Sequence, residues 1–322
     1  MTIKSSGSSL AFSEIEAEFG SNGGRTLGNY RLSQSIGSLS NLPLDSGIPT
    51  SGQIKFSDFY GKRLNMVVDC FSGPEETRKI AKNDKWNNNQ VTVIGGFRSK
   101  KEGGSKIIIN VNKKFCSNKD ATSRCALRTG SWDGSSTVQV DVGSSGRILG
   151  SGGDGGRGQN GIDGSAQAGF NGSSGLGIEV NNCTVNIASG GIIRAGFGGG
   201  GGGGGGRQVD KGEDRRASGG GGGGGAGCPP GSGGPRGTTG SLGSNGSAGT
   251  ETTGGGGGGG GNNENQAFGG SGGSGGQAQG GPGGGSGGAG TNGAAIRRTS
   301  GFSVSINNSG TVSGSTSATG TS

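Results

Sequence analysis

The chain has 322 residues, 86 of them Gly, with only 25% hydrophobic and 5% aromatic content, and these figures exclude an ordinary single-core enzyme domain. It carries a formal net charge of +8 and no histidine, which removes His general bases, Ser-His and Cys-His nucleophile pairs and His metal ligands together. Glycine is uneven, with 18 in residues 1–149 and 68 in 150–322, so the second part must be held by backbone rather than by side-chain burial.

Charge divides in the same way: residues 150–322 hold nine Lys/Arg and eight Asp/Glu, leaving +7 to the first part. Its lysines (Lys79, Lys82, Lys85, Lys100, Lys101, Lys106, Lys113, Lys114, Lys119) are scattered and fit no nucleic-acid-binding motif. They read as a solvated positive surface, with no nucleic-acid partner expected. Five cysteines (Cys70, Cys116, Cys125, Cys183, Cys228) without a CxxC spacing indicate neither a zinc site nor a complete disulfide framework. They are expected as free thiols, Cys116 to Cys125 being the one local bridge that the spacing suggests. Met1-Thr2-Ile3-Lys4 leads into Ser and Gly without an apolar core, and no run approaches 18 apolar residues. The expectation is synthesis in a cytoplasm without export by a signal peptide.

Residues 1–64 contain two segments that echo one another, Phe12-Ser13-Glu14-Ile15 and Phe56-Ser57-Asp58-Phe59. Ser13 and Glu16 have the spacing of a capping box, Ile15 and Phe19 lie one turn apart, and Gly20 is a helix stop. In the second copy Ser57 is the expected cap and Gly61 the stop. The turn-rich stretches between them predict no core of their own. Phe12, Ile15, Phe19, Phe56, Phe59 and Tyr60 are therefore candidate attachment residues that fold against another protein.

From 65 to 149 the apolar residues shift to period two: Met66-Val67-Val68, Val91 to Ile94, Ile107 to Val111 and Thr137 to Val142, separated by turn residues. This predicts a small antiparallel β-sandwich with Trp86 and Trp132 packing its ends. An ungapped repeat follows, VDVGSSGRILG (Val140 to Gly150), VNIASGGIIRA (Val185 to Ala195) and VSINNSGTVSG (Val304 to Gly314). Each copy has Gly at its seventh position (Gly146, Gly191, Gly310) and reads as a tight hairpin. The recurrence makes sheet and glycine region one continuous body.

Residues 150–322 combine unbroken glycine runs (198–206, 219–225, 254–261) with stretches carrying Gly at every third position, such as 152 to 164 and 231 to 249. A period of three is that of the polyproline II helix, which leaves every N–H and C=O pointing outward. Collagen needs longer arrays and more than seven prolines, and a disordered linker needs no period. The prediction is a polyglycine II helix bundle, in which bare glycine faces let neighbours share backbone hydrogen bonds. At roughly 3.1 Å per residue, runs of seven to nine span about 22 to 28 Å. The connecting loops hold the informative side chains: 207–218, 226–230, 250–253 and 262–268. No nucleophile or carboxylate pair stands in a catalytic motif, so no enzyme, no cofactor and no metal are expected.

The stretch Ser123 to Gly130, then Trp132, then TVQVDVGSSGRILGSGGDGGRG, VNIASGGIIRAG and poly-Gly resembles the glycine-rich tail-fibre and tail-tip adhesins of tailed bacteriophages. The opening module, FSEIEAEFG through GIPTSGQIKFSDFYGK, is similar to N-terminal modules of phage virion proteins, especially those of marine and cyanobacterial phages. The resemblance implies a virion protein of the tail, in several copies, touching the host surface through a polyglycine II domain whose loops set host range. Its partners would be other tail or fibre proteins and a host surface glycan or outer-membrane protein. On the residues themselves, specificity falls to Arg207, Asp210, Lys211, Arg215 and Arg216 in one loop and Asn262, Asn263, Asn265, Gln266 and Phe268 in the other, Arg and Asn donors with an aromatic face suiting sugar hydroxyls or anionic surface glycans. The rival readings are a structural tail plug and an ice-binding polyglycine II protein.

Overall fold

The computed structural model describes residues 3–19, 26–31, 47–62, 66–70, 91–94, 106–117, 121–130, 137–210, 212–263, 267–276 and 287–320. Trp86, Trp132 and most of the expected lysine surface lie outside them. The chain is mostly β, with one α-helix, α1 (Phe12–Phe19), among the described residues.

The N-terminal part builds the core that its polarity seemed to deny it. Ile3, Ile15, Tyr30, Ile48 and Phe59 are buried together, and Tyr30 meets Phe12 and Phe59 edge-on at 5.9 and 6.3 Å between ring centroids. Ile15 and Phe59 are thus core residues rather than an attachment surface. Phe12 and Tyr60 are half-buried, Phe56 is 40% exposed, and the side chain of Phe19 lies outside the described set. The caps shift by two residues from expectation: Glu14 accepts from the Ala11 N–H at 2.7 Å and Asp58 from the Lys55 N–H at 2.8 Å. The acid two residues after each Phe-Ser start therefore does the capping in both copies, and Ser13 and Ser57 do not.

The β-strands follow in chain order: β1 (Met66–Cys70), β2 (Val91–Ile94), β3 (Lys106–Val111), β4 (Lys114–Cys116), β5 (Cys125–Arg128), β6 (Thr137–Val142), β7 (Arg147–Leu149), β8 (Ser174–Ile178), β9 (Cys183–Ile187), β10 (Ile192–Arg194), β11 (Gly206–Asp210), β12 (Glu213–Ala217), β13 (Asn262–Asn263), β14 (Ala267–Phe268), β15 (Ile296–Arg298), β16 (Val304–Asn308), β17 (Thr311–Ser313) and β18 (Ala318–Thr319). Three sheets carry the body, in the orders β16-β9-β6-β3-β1-β2, β17-β10-β7-β4 and β18-β15-β8-β5. All their pairings are parallel except β1 with β2.

This corrects the antiparallel sandwich. Consecutive strands enter the three sheets in rotation, so β3-β4-β5, β6-β7-β8, β9-β10-β15 and β16-β17-β18 are four coils of a three-sided parallel solenoid. The repeats are not hairpins, because the two strands of each copy lie in different sheets and pair with the copies above and below. Their shared glycine marks the corner where coils stack: a Cβ on Gly146 would lie 2.1 Å from the Val111 carbonyl oxygen, and one on Gly310 2.4 Å from that of Gly191. Inside, side chains stack in register, as in Ile109-Val140-Val185-Ile306, Phe115-Ile148-Ile193-Val312 and Leu127-Leu176-Ile296. The first three coils bury these residues, while Ile306 and Val312 of the last coil are half-buried.

The glycine-rich residues do not follow the β-domain; they are inserted in it. Residues 150–173 join β7 to β8 and residues 195–295 join β10 to β15. Both insertions leave from the same corner of successive coils, and the boundary expected at 149/150 falls inside the second coil. Apart from the hairpins β11–β12 and β13–β14 and isolated bridges, the described residues of the insertions run back and forth without strand pairing, and successive N–H groups turn to different neighbours. Gly219, Gly222 and Gly225 donate to Gln159, Gly156 and Gly153; Gly220 and Gly223 to Gly270 and Gly273; Gly221 and Gly224 to Ser244 and Ser247, at 2.8 to 3.1 Å. Direction repeats every third residue.

Glycine is needed where these segments touch. A Cβ on Gly202 would lie 2.0 Å from the Arg157 carbonyl oxygen, whereas one on Gly256 would meet nothing within 4 Å. The runs 198–206 and 219–225 are enclosed, while 254–261 keeps one face open at Gly256 and Gly259.

The cysteine expectation also changes. Cys116 is bonded to Cys228, 112 residues away, and the pair packs with Leu149 and Ile192 on the outer face of the second sheet. Cys125 and Cys183 are free. Burial pushes both thiols up to about 12, in Cys125 against the opposing charges of Arg128 and Arg297.

Candidate functional site

The glycine segments have two ends of different character. At the end next to the solenoid, Cys228 is bonded to Cys116 and its N–H donates to the Gly150 carbonyl at 2.8 Å. Glu251 sits among Lys114 at 2.6 Å, Arg147 at 3.3 Å and Arg194 at 3.4 Å. Burial opposes ionisation of Glu251, but the Lys114 hydrogen bond and the charges of Lys114, Arg194 and Arg147 outweigh it and hold the carboxyl below its usual range. Loops 226–230 and 250–253, counted among the connecting loops with informative side chains, are therefore fastenings.

The far end gathers the other loops. Hairpin β11–β12 places Arg207 opposite Arg216 and Gln208 opposite Arg215, with Gly212 in its turn at φ +84°. Beside it lie the short pair β13–β14, the turn 160–164 and the segment 238–242. The Asn160 side chain accepts from the Thr238 N–H at 2.8 Å, Ala217 bridges to Ser241, and a Cβ on Gly206 would meet the Phe268 carbonyl at 2.1 Å.

Ion pairs fix the shape of this surface. Asp214 takes Arg207 at 2.7 Å and Arg216 at 2.9 Å, Arg216 also reaches Asp163 at 3.0 Å, and Arg215 pairs with Glu213 at 2.6 Å. The Arg207 hydrogen bond, then that of Arg216, lowers the pKa of Asp214, and Asp214 in turn raises that of Arg216. Exposed pairs of this kind contribute little stability; here they hold guanidinium groups in place. Between them stand apolar side chains with most or much of their surface in solvent: Phe268 (60%), Val209 (58%), Leu242 (50%) and Ile162 (40%). Apolar groups rimmed by oriented charges suit surface recognition. Among the described residues no group of His, Cys, Asp and Glu could hold a metal ion.

Of the residues expected from sequence, the structure brings together Arg207, Arg215, Arg216, Asn262 and Phe268. Asp210 and Asn263 belong to the two hairpins by their backbones, while Lys211, Asn265 and Gln266 lie outside the described residues. Sequence reasoning missed Ile162, Asp163, Val209 and Leu242. The signal for two of them was legible: Gly161-Ile162-Asp163-Gly164 and Gly240-Ser241-Leu242-Gly243 put a large apolar residue in triplets otherwise filled by small or polar ones.

Residues 75–317 match the family model of the phage tail fibre adhesin Gp38. No curated protein and no solved structure matches the chain.

Proposed function

The chain belongs to the phage tail fibre adhesin Gp38 family, and from that premise we propose that its glycine segments form a polyglycine II bundle that presents a receptor-binding tip. The three-residue rotation of N–H donors among neighbours supports the helix type. One observation carries the site: hairpins β11–β12 and β13–β14 meet the turns at 160–164 and 238–242 at one end of the bundle, while the opposite end is bonded to the solenoid. The tip discriminates hosts through Arg207, Arg215, Arg216, Asn262 and Phe268, with Ile162, Val209 and Leu242 supplying apolar contact to a surface glycan or outer-membrane protein. Asp210, Lys211, Asn263, Asn265 and Gln266 belong to the same loops. The protein works in several copies on the virion tail, joined to other tail proteins, without catalysis. Its N-terminal part attaches it there, and Phe56, exposed beside Phe12 at 6.0 Å between ring centroids, is the accessible apolar contact.

Exchange of 207–218 and 262–268 for Gly-Ser segments of equal length should leave particle assembly intact and abolish adsorption. Unchanged adsorption of the double exchange would transfer the protein to a structural role in the tail.

A further inference from the structure

The outer face of the first solenoid sheet carries a feature that the tip does not use. Asn110, Asp141, Asn186 and Asn307 occupy one register row on the parallel strands β3, β6, β9 and β16. The side chains of the last three are joined in sequence: the Asn307 amide donates to Asn186 at 2.8 Å and the Asn186 amide to Asp141 at 2.7 Å. Gln139 donates to the same carboxylate from the next row, at 2.8 and 2.9 Å. Two residues further along each strand the row reads Asn112, Gly143, Ala188 and Ser309. The side of this second row towards β9 and β16 is small, and the two rows together line a trough of about 360 Å³.

We propose that this trough binds a neutral glycan laid across the strands. An amide ladder alone would account for the bonds along the first row, but not for the open space that Ala188 and Ser309 leave beside it, next to the point where the Asn112 side chain closes over Gly143. Each carboxamide has two donor hydrogens and an oxygen with two lone pairs. After the bonds along the row, Asn186 and Asn307 each keep a donor and an acceptor for a ligand. Parallel strands repeat these groups about every 4.8 Å, and a chain of sugar rings is the polymer that offers hydroxyl donors and acceptors at such close intervals. A peptide is disfavoured, because the trough crosses the sheet face, where the backbone is already paired and no strand can be added. An anionic polymer is disfavoured because Asp141 is the one ionisable group lining the trough. The volume falls within the range of about 300 to 1,000 Å³ typical of small-ligand sites.

This inference deepens the adhesin reading by adding a glycan contact on the flank, distinct from the tip. The test titrates the full-length protein with neutral tetra- to hexasaccharides of glucose, mannose, galactose and N-acetylglucosamine, with a polysialic acid oligomer as anionic control. At least one neutral oligomer should bind saturably and the control should not. Ala188→Arg and Ser309→Arg fill the trough from exposed positions and leave the ladder in place, and each should weaken binding tenfold or more at unchanged Tm. Asn307→Ala, which removes the exposed end of the row, provides the independent variant. Binding of no neutral oligomer, equal binding of polysialic acid, or affinity unaffected by these substitutions would overturn the proposal. A protein with both tip loops exchanged should still bind the oligomer, so failure of the tip reading and failure of this one are separable.

Discussion

The solenoid and the glycine bundle solve one problem by opposite means. The solenoid excludes water with stacked side chains such as Leu127, Leu176 and Ile296, so it loses stability when a side chain shrinks. The bundle excludes water with backbone, every N–H from Gly219 to Gly225 finding a carbonyl of another segment, so it loses stability when a side chain grows. Burial therefore does not identify a core by itself; what matters is whether side chains or main chain fill the space.

The largest test of this contrast is Gly202→Val, which forces methyl groups against a carbonyl that a Cβ alone would approach to 2.0 Å. It should cost about 4 to 5 kcal/mol or more, at the extreme of single substitutions, whereas Gly256→Ala on the open face should leave the melting temperature within a degree or two. Equal melting of the two variants would show that the segments are not packed as described. Next comes the bond between the two bodies. Cys116→Ser releases a loop closure of 112 residues and should lower stability by about 4.8 kcal/mol on the chain-entropy account, seen as a lower denaturation midpoint that reduction of the unmutated protein reproduces. Matching midpoints for oxidised and reduced protein would mean that other contacts hold the bundle on. In the solenoid, Leu176→Ala should cost about 3 kcal/mol through the cavity it leaves, with Leu176→Met nearly neutral. A cost below 1 kcal/mol for the alanine would argue against a tightly stacked interior.

The smallest effect is one of pH. The folded pKa of Glu251 is lowered from an ordinary value of 4.5, so its contribution is fully present above about pH 4.5 and is lost as pH falls through the lower folded value. Acid should loosen the fastening of the bundle in the unmutated protein, and Glu251→Gln should flatten that dependence. A dependence unchanged by the substitution would assign the acid response to other carboxylates.

Much of this was legible in the sequence, and the failures have physical causes. The strands at 66–70, 91–94, 106–111 and 137–142 follow from β-branched runs, and the period of three foretold donors rotating among neighbours. Strand direction was not legible, because a short polar turn with Gly146 or Gly191 serves a hairpin and a solenoid corner equally well. The better signal was the repeat itself, whose three copies needed only to be stacked rather than folded on themselves; the insertion at 195–295 hid the spacing. Cys116 and Cys228 are too far apart in the chain for spacing to pair them. Ile3, Tyr30 and Ile48 are isolated in polar surroundings, so the N-terminal core could not be read from any local pattern. For the site, composition picked out four loops, but only the path of the chain separates the two that fasten the bundle from the two that face away.

The rotation of donors among three neighbours gives the glycine segments something like a reading frame. Inserting one or two residues within an enclosed run would aim every subsequent N–H at the wrong neighbour. Inserting three restores the phase and, on the proposed polyglycine II geometry, only lengthens the segment by one turn, about 9.3 Å at 3.1 Å per residue. Length variation among natural variants of this chain should accordingly collect in the far-end turns, where no phase has to be kept, and come in multiples of three elsewhere. The scaffold thus confines heritable change to the far-end surface proposed for recognition.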